Sequence, residues 1–260
     1  MGQCIDRPSS GPAPVGRAAT WSFRVDGELT TWDWALGPPA VRALSHVRRP
    51  RSSSAHRHIP VQTFCLTTGQ VLGVESGLEY ELLLDRDRDP SVSWLVPQPC
   101  RLNYSPASGR ARSHVPDLLE QRSDGSVVLW DARPAERRDD KFEEAVAVAV
   151  AACADVGWRH EVFTGHDRAH RYALRWLAAY RSPRPWHPAA REELRGMLDG
   201  GGSLGSVLEA DRGAGHLVQT MWHLMWTGEL AADLTQPLTI STWLTWSRAQ
   251  PCQVERTGQR

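Results

Sequence analysis

Residues 114–136 read HVPDLLEQRSDGSVVLWDARPAE, and this stretch decides how the centre of the chain folds. Short apolar runs stand on both sides of Asp124-Gly125, a pair that favours a tight turn between antiparallel strands. We therefore predict strands near 113–121 and 126–132. Asp117 lies on or at the end of the first strand and Asp131 ends the second, so the turn should bring the two aspartates side by side.

The segments around this hairpin alternate between helical and strand patterns. The run AVAVAVAAC is apolar nearly all round, which predicts a helix buried against a sheet. The mixed order predicts an α/β domain over residues 61–182, with helices on both faces of a mixed sheet. Its other predicted elements are a helix near 75–86, a strand near 92–103, a helix near 139–156, a strand at 157–163 and a helix at 167–180.

The N-terminal part is predicted to add a small hairpin and a basic arm over residues 19–60, between a disordered leader (1–18) and the central domain. The hairpin turns at Asp26-Gly27. The segment HVRRPRSSSAHRH, residues 46–58, carries four arginines and three histidines without an acid. It is either a solvated loop or an arm that lies on phosphates. The candidate DNA-binding residues are Arg48, Arg49, Arg51 and Arg57.

A proline-rich stretch at 181–188 marks the predicted boundary of a second domain, residues 186–247. Three short helices precede the strand pair ELAADL (229–234) and PLTIST (237–242), which predicts a winged helix. The third helix of such a domain usually enters the DNA major groove, but winged helices also dock proteins, and both interpretations stay open. Residues 248–260 are predicted to form a disordered tail.

Composition excludes several classes of protein. Five cysteines at wide spacings, with no CxxC pair, argue against both a disulfide framework and a zinc site, and favour a reducing compartment. No stretch approaches the roughly 20 apolar residues of a membrane span, so we expect a cytoplasmic protein without a membrane partner. The net charge is zero, so any basic surface for nucleic acid must be local. Lys141 is the only lysine in the chain.

Three carboxylates fall where a metal-dependent nuclease needs them: Glu79 on the first predicted helix, Asp117 and Asp131. Each has an ordinary explanation as a helix-surface, turn or strand-end residue. Together in a cleft they would repel one another unless a cation lay between them. Oxygen ligands suit Mg²⁺ or Mn²⁺, which would polarise a phosphodiester and activate a water for attack on phosphorus. The predicted reaction class is therefore phosphodiester hydrolysis.

The order of a helical glutamate, a Pro-Asp strand and an Asp-x-basic strand end resembles the PD-(D/E)xK nuclease fold. The segments SGLE (76–79), DPSVSWLVPQPCRL (89–102), HVPDLL (114–119) and WDARPAE (130–136) resemble, in order and spacing, the TnsA-like endonuclease subunits of heteromeric transposases. This resemblance covers about residues 40–245. It implies a PD-(D/E)xK restriction-endonuclease-like sheet followed by a winged helix.

The resemblance also implies an activity and partners. A TnsA-like subunit cleaves the 5′ ends of a transposon, while a partner integrase-type transposase cuts the 3′ ends and an AAA+ ATPase regulates both. Carried over residue by residue, Glu79, Asp117 and Asp131 match the family's metal-side carboxylates, and Arg133 stands in the place of its lysine. Glu75 is a second choice for the helix glutamate. Gln98 is expected to be structural.

Arg133 departs from the family's pattern, because the lysine is expected to position and help deprotonate the attacking water. Arginine stays charged, with a pKa above about 12. It can still hold the water or neutralise the scissile phosphate, and Lys141 offers a second amine from the next helix. Two alternatives to an active subunit follow: a catalytically impaired DNA-binding or assembly subunit of the same family, and a stand-alone restriction or repair nuclease of the same fold.

Overall fold

The computed structural model describes residues 18–48, 61–106 and 109–247. The predicted leader through residue 17, the predicted tail, and the candidate DNA-binding residues Arg49, Arg51 and Arg57 lie outside the described residues. The strands and helices are β1 (Thr20–Val25), β2 (Glu28–Thr31), β3 (Leu44–Ser45), β4 (Val61–Cys65), β5 (Gln70–Val74), α1 (Gly77–Asp87), β6 (Val92–Pro97), β7 (Cys100–Tyr104), β8 (Arg112–His114), β9 (Leu118–Arg122), β10 (Val127–Ala132), α2 (Asp140–Ala154), β11 (Arg159–Phe163), α3 (Arg168–Leu177), α4 (His187–Met197), β12 (Gly202–Ser203), α5 (Leu204–Ala210), α6 (His216–Trp226), β13 (Leu230–Ala231) and β14 (Trp243–Trp246).

The central sheet has the strand order β11-β10-β9-β6. Strands β6, β9 and β10 pair antiparallel, and β11 pairs parallel with β10 after the α2 crossover. The predicted turn at Asp124-Gly125 connects β9 and β10, and Gly125 has φ +84°, a conformation that glycine adopts without steric cost. The hairpin, both predicted helices of this region and the mixed α/β class are therefore confirmed.

Two predicted strands are each broken in two. The strand predicted at 92–103 divides into β6 and β7 at Gln98, whose φ is +45° and whose neighbours Pro97 and Pro99 lack the N–H that a ladder needs. The strand predicted at 113–121 divides into β8 and β9 around Pro116. The breaks let β7 and β8 join a second sheet of order β2-β1-β7-β8, so the confirmed N-terminal hairpin pairs with the central region through β1 and β7.

The two faces of the central sheet carry different helices. On one face, Leu82 and Leu83 of α1 pack with Leu95 and Leu118. On the other, a cluster joins α2 to β9, β10 and the aromatic residues of β1. Leu129 belongs to the α2 cluster while Trp130 packs against the α1 cluster, as the two-residue period of a strand requires. Helices thus cover both faces, as the sequence predicted.

The C-terminal region combines three helices with a small antiparallel sheet of order β12-β14-β13, whose first strand lies between α4 and α5. The predicted strand at 237–242 is wrong, since the strand that pairs with β13 is Trp243–Trp246. Residues 239–242 instead form a turn in which the Thr242 amide donates to the Thr239 carbonyl oxygen. This unit shares a hydrophobic cluster with Leu84 of α1 and Leu174 of α3, so its core is continuous with the central region.

Helix α6, the third helix of this unit, is largely buried and its sequence HLVQTMWHLMW contains no lysine or arginine. Its apolar side chains at helical spacing, Leu217, Met221, Leu224 and Met225, are buried. None of the helices in the described parts of the chain has the length and apolar character needed to cross a membrane.

Candidate active site

Glu79 lies in the first turn of α1 and is largely buried. The Ser76 hydroxyl caps the helix by accepting from the Glu79 amide at 3.2 Å, and the Glu79 carboxylate accepts from the Glu75 amide at 2.9 Å. These bonds resemble a capping box, so helix capping alone accounts for a glutamate here. Burial, partly offset by these hydrogen bonds, raises the pKa of Glu79.

Asp117 lies immediately before β9, and its carboxylate accepts a hydrogen bond from the backbone at the end of β10. The Ala132 amide at the end of β10 donates to Asp117 Oδ2 at 2.7 Å, and the Asp117 amide donates to the Trp130 carbonyl oxygen at 2.9 Å. Burial raises the pKa of Asp117 well above its usual range, and the charges of Asp131 and Glu79 raise it further. Asp117 is therefore the carboxylate that the other two influence.

Asp131 ends β10 and is held by two histidines. Nε2 of His114 lies 2.9 Å and Nε2 of His160 lies 2.8 Å from Asp131 Oδ2. Burial alone would raise the pKa of Asp131, but the hydrogen bonds from the two imidazoles outweigh it and lower the pKa. Its side chain lies on the α2 face, where it acts electrostatically on Cys100 and Cys153.

The predicted trio is electrostatically coupled but comes from both sides of the sheet. Glu79 comes from the helix on the α1 face, whereas Asp131 has the parity of Leu129 on the α2 face, and Asp117 follows opposite Asp131 in the register of β9 and β10. Within the described residues, the trio is not a group whose ligand atoms all lie within 4.8 Å of one another.

Arg133 and Lys141 line the same cavity, of about 620 Å³, together with His114. The Arg133 side chain donates from Nε to the Arg137 carbonyl oxygen at 2.8 Å, and its guanidinium lies 5.3 Å from the centre of the Phe142 ring. Arg110 and Arg112 also line the cavity. Its one acidic lining residue, Asp139, caps α2 by accepting from the Phe142 amide. Positive side chains beside the end of β10 suit the phosphates of a nucleic acid backbone.

Arg48, the one predicted DNA-binding arginine among the described residues, lies at the carboxylates. It forms an ion pair with Glu75, and its charge acts to lower the pKa values of Glu79 and Asp117. Gln98 is fully buried, as a structural residue would be, yet neither polar atom of its side chain has a hydrogen-bond partner within the described residues. Burying these two atoms without a partner costs folding free energy, and nothing in the structure explains it.

The sequence interpretation missed the two histidines that hold Asp131. His114 begins the quoted stretch HVPD, and His160 occupies a strand position of the same parity as the apolar Val162. An imidazole at such an inward strand position is a usable signal, because a buried polar side chain needs a partner. The partner itself could not be identified, since it lies on another strand.

Matched substitutions at the two aspartates are predicted to change stability in opposite directions. Asp117→Asn removes a charge that folding disfavours and should stabilise the protein at pH 7 by about 1 kcal/mol, whereas Asp131→Asn breaks charge-assisted hydrogen bonds and should cost about 1.5–3 kcal/mol. Both free energies of unfolding are measured by urea denaturation. Equal or same-sign effects would contradict the assigned environments.

The pH dependence follows from the directions of the two pKa shifts. The raised pKa of Asp117 gives stability that is present below the ordinary value of 3.8 and is lost as pH rises through the folded-state pKa, so the gain from Asp117→Asn appears above that range. The lowered pKa of Asp131 gives stability that is present above 3.8 and is lost as pH falls through the folded-state pKa. Both differences from the wild type should therefore shrink in acid.

No family model matches this chain, and no curated protein matches it significantly.

Proposed function

We propose that this chain is the DNA-cleaving subunit of a heteromeric transposase, a TnsA-like nuclease that hydrolyses phosphodiesters at the 5′ ends of a transposon. The observation that supports it most is the buried Asp117 carboxylate, whose pKa burial raises and the charges of Asp131 and Glu79 raise further. The order α1, β6, β9, β10, α2, β11 supports it too, since the PD-(D/E)xK fold places its carboxylates on the corresponding helix and strands.

The residues present offer the ligands that Mg²⁺ or Mn²⁺ prefers. Glu79 and Asp117 supply carboxylate oxygens, and the repulsion that raises the pKa of Asp117 is what a cation would relieve. Asp131 fits less well, because its Oδ2 already accepts from two imidazoles. When bound, the ion would polarise the phosphodiester and acidify a water. Arg133, permanently charged, would neutralise a phosphate but would not accept a proton.

The chain's own side chains would also hold the DNA. Arg110, Arg112, Arg133 and Lys141 bring four positive charges to the cavity beside β10. Arg112 already pairs with Glu144 at 2.9 Å, so it contributes less attraction than its charge suggests. Contacts of this kind fix the position of a DNA backbone without reading its sequence.

The proposal is tested by mixing the purified protein with Mg²⁺, its partner transposase and duplex DNA that carries a labelled transposon end. We expect the strand with the 5′ end to be cut only when this chain is present. Adjacent reading frames that encode an integrase-type transposase and an AAA+ ATPase would identify the partners. Cutting without any partner would favour the stand-alone nuclease instead.

A second candidate function is a catalytically impaired subunit of the same family that binds DNA or assembles the complex. The specific observation in its favour is the clamp on Asp131, together with its position on the sheet face opposite α1. Under this alternative, the protein shifts the mobility of end DNA with its partner but leaves both strands intact.

We propose a winged helix for the C-terminal unit, because α4, β12, α5, α6, β13 and β14 follow one another in that fold's order. Its third helix is poorly suited to contact DNA, since α6 buries most of its side chains and contains no lysine or arginine. The exposed Trp243 and Ile240 near the wing instead favour contact with a protein partner.

A further inference from the structure

A second cluster of ionisable side chains lies between α1 and α3, away from the carboxylates. Asp85 of α1, His166 before α3 and His170 in its first turn each offer one ligand atom, and these atoms all lie within 4.8 Å of one another. We infer that these three residues bind a divalent transition-metal ion of the zinc type. This site goes beyond the proposed nuclease and does not depend on it.

Local structure fixes the two histidines four residues apart on one side of α3. The His166 amide donates to Glu81 at 2.7 Å, and Asp167 caps α3 by accepting from the His170 amide at 2.9 Å. The two imidazoles stack with centroids 3.9 Å apart and planes at 9°. Both rings are thereby directed to the same end of α1, where Asp85 Oδ1 lies 3.2 Å from His166 Nε2.

Two imidazole nitrogens at this site lack a hydrogen-bond partner. Nε2 of His166 and Nε2 of His170 are buried and have none among the residues that the structure describes, which is costly for polar nitrogens. An imidazole nitrogen that carries no hydrogen can offer a lone pair, and a metal ion between these side chains would satisfy both atoms.

The electrostatic surroundings permit a cation despite three nearby arginines. Arg171 pairs with Glu81 at 2.8 Å, while Arg86 contacts Asp85 Oδ2 at 2.5 Å and also lies near Asp89 and Glu120. Arg88 donates to the Met225 carbonyl oxygen at 3.1 Å, and its charge is partly offset by Asp85 and Asp89. Arg86 holds Asp85 Oδ2, while Oδ1 lies 3.2 Å from His166 Nε2. Arg86 thus orients the carboxylate with Oδ1 towards the histidines, as outer partners of metal ligands do.

The donor set distinguishes this site from a magnesium site. Two imidazole nitrogens and one carboxylate oxygen suit zinc and its neighbours, whereas Mg²⁺ prefers oxygen alone. Bonds of about 2.0–2.2 Å place tetrahedral ligand atoms about 3.4 Å apart, so the pair of Asp85 and His166 already fits. The His170 ligand atom lies within 4.8 Å of the other two, so this ring would have to move towards them to complete the set, with water in the fourth position.

The inference is tested with the full-length protein by equilibrium dialysis against Zn²⁺ and by absorption spectra of the Co²⁺ form. We expect one ion per chain and the intense visible bands of four-coordinate cobalt without a thiolate charge-transfer band. His170→Gln should weaken binding at least about 100-fold, since even outer partners of metal ligands cost 10–100-fold when lost. His216→Gln, which removes an exposed imidazole at the start of α6, is the matched control.

Several outcomes would overturn the inference. They are the absence of stoichiometric binding by the wild type, a thiolate band that places the ion on cysteine, or equal affinity in His170→Gln and the wild type. If His170→Gln does not fold, His166→Gln and the wild-type cobalt spectrum decide. Asp117→Ala should leave zinc binding unchanged, so failure of the nuclease proposal and failure of this site are separable.

Discussion

Replacing Asp117 by alanine is expected to reduce Mg²⁺-dependent cleavage of transposon-end DNA at least about 1000-fold, because a metal centre contributes several kcal/mol and each 1.4 kcal/mol is a tenfold change in rate. Asp117 is the residue whose pKa both Asp131 and Glu79 raise, so its loss removes the centre of the group. The measurement is the single-turnover rate at the 5′ strand, with the partner transposase in excess.

The control for this variant is Asp199→Ala, an aspartate on the exposed turn after α4. It should cleave at the wild-type rate. Because Asp117→Ala also removes a repulsive buried charge, the variant should remain folded, and a cooperative melt verifies this. Undiminished cleavage by a folded Asp117→Ala protein would remove Asp117 from the active site.

Replacing Arg133 by lysine is expected to raise the same cleavage rate about tenfold or more. A guanidinium with a pKa above about 12 cannot accept a proton from the attacking water, whereas an amine beside a metal can, and general base catalysis typically contributes 10²–10⁴-fold. Lysine also lacks the planar fork through which Arg133 contacts the Arg137 carbonyl oxygen and Phe142, so its amine is freer in the cavity.

Arg137→Lys serves as the control. The Arg137 side chain is exposed and is not among the residues that line the cavity, so this change should leave cleavage unchanged. An Arg133→Lys protein that cuts while the wild type does not would mean that only the lysine has been lost. If Arg133→Lys and Arg133→Ala both cut at the wild-type rate, Arg133 does not contact the scissile phosphate.

Local patterns predicted most of the central fold. The Asp124-Gly125 turn and the apolar runs around it gave the β9–β10 hairpin, and the apolar AVAVAVAAC segment gave a helix packed on the sheet. The same pairing brings Asp117 to the end of β10, as the turn implied. Predictions held where one turn or one helical face determined the outcome.

The surroundings of the carboxylates could not be predicted from local sequence, because they depend on contacts between distant segments. Strand parity places Asp131 with Leu129, but Val128 and Trp130 are apolar too, so the sequence does not tell which parity faces α1. The histidines on Asp131 come from β8 and β11. Pro97, Pro99 and Pro116 mark where the strands break, but they do not indicate which sheet each piece joins.

The cysteine spacings predicted no zinc site, but they bear only on sites with cysteine ligands. The inferred site uses Asp85 with His166 and His170, which are separated by about eighty residues of chain and brought together by the packing of α1 on α3. The only local pattern that pointed to this site was the four-residue spacing of His166 and His170 at the start of α3.

Anomalous diffraction from crystals soaked in Mn²⁺ tests most directly whether the carboxylates form the catalytic metal centre. We expect a peak within about 2.3 Å of an Asp117 oxygen, shared with Glu79 or Asp131, and no peak there in Asp117→Ala crystals. A wild-type structure whose only manganese lies at Asp85, His166 and His170, with the three carboxylates still apart, would contradict the proposed nuclease centre.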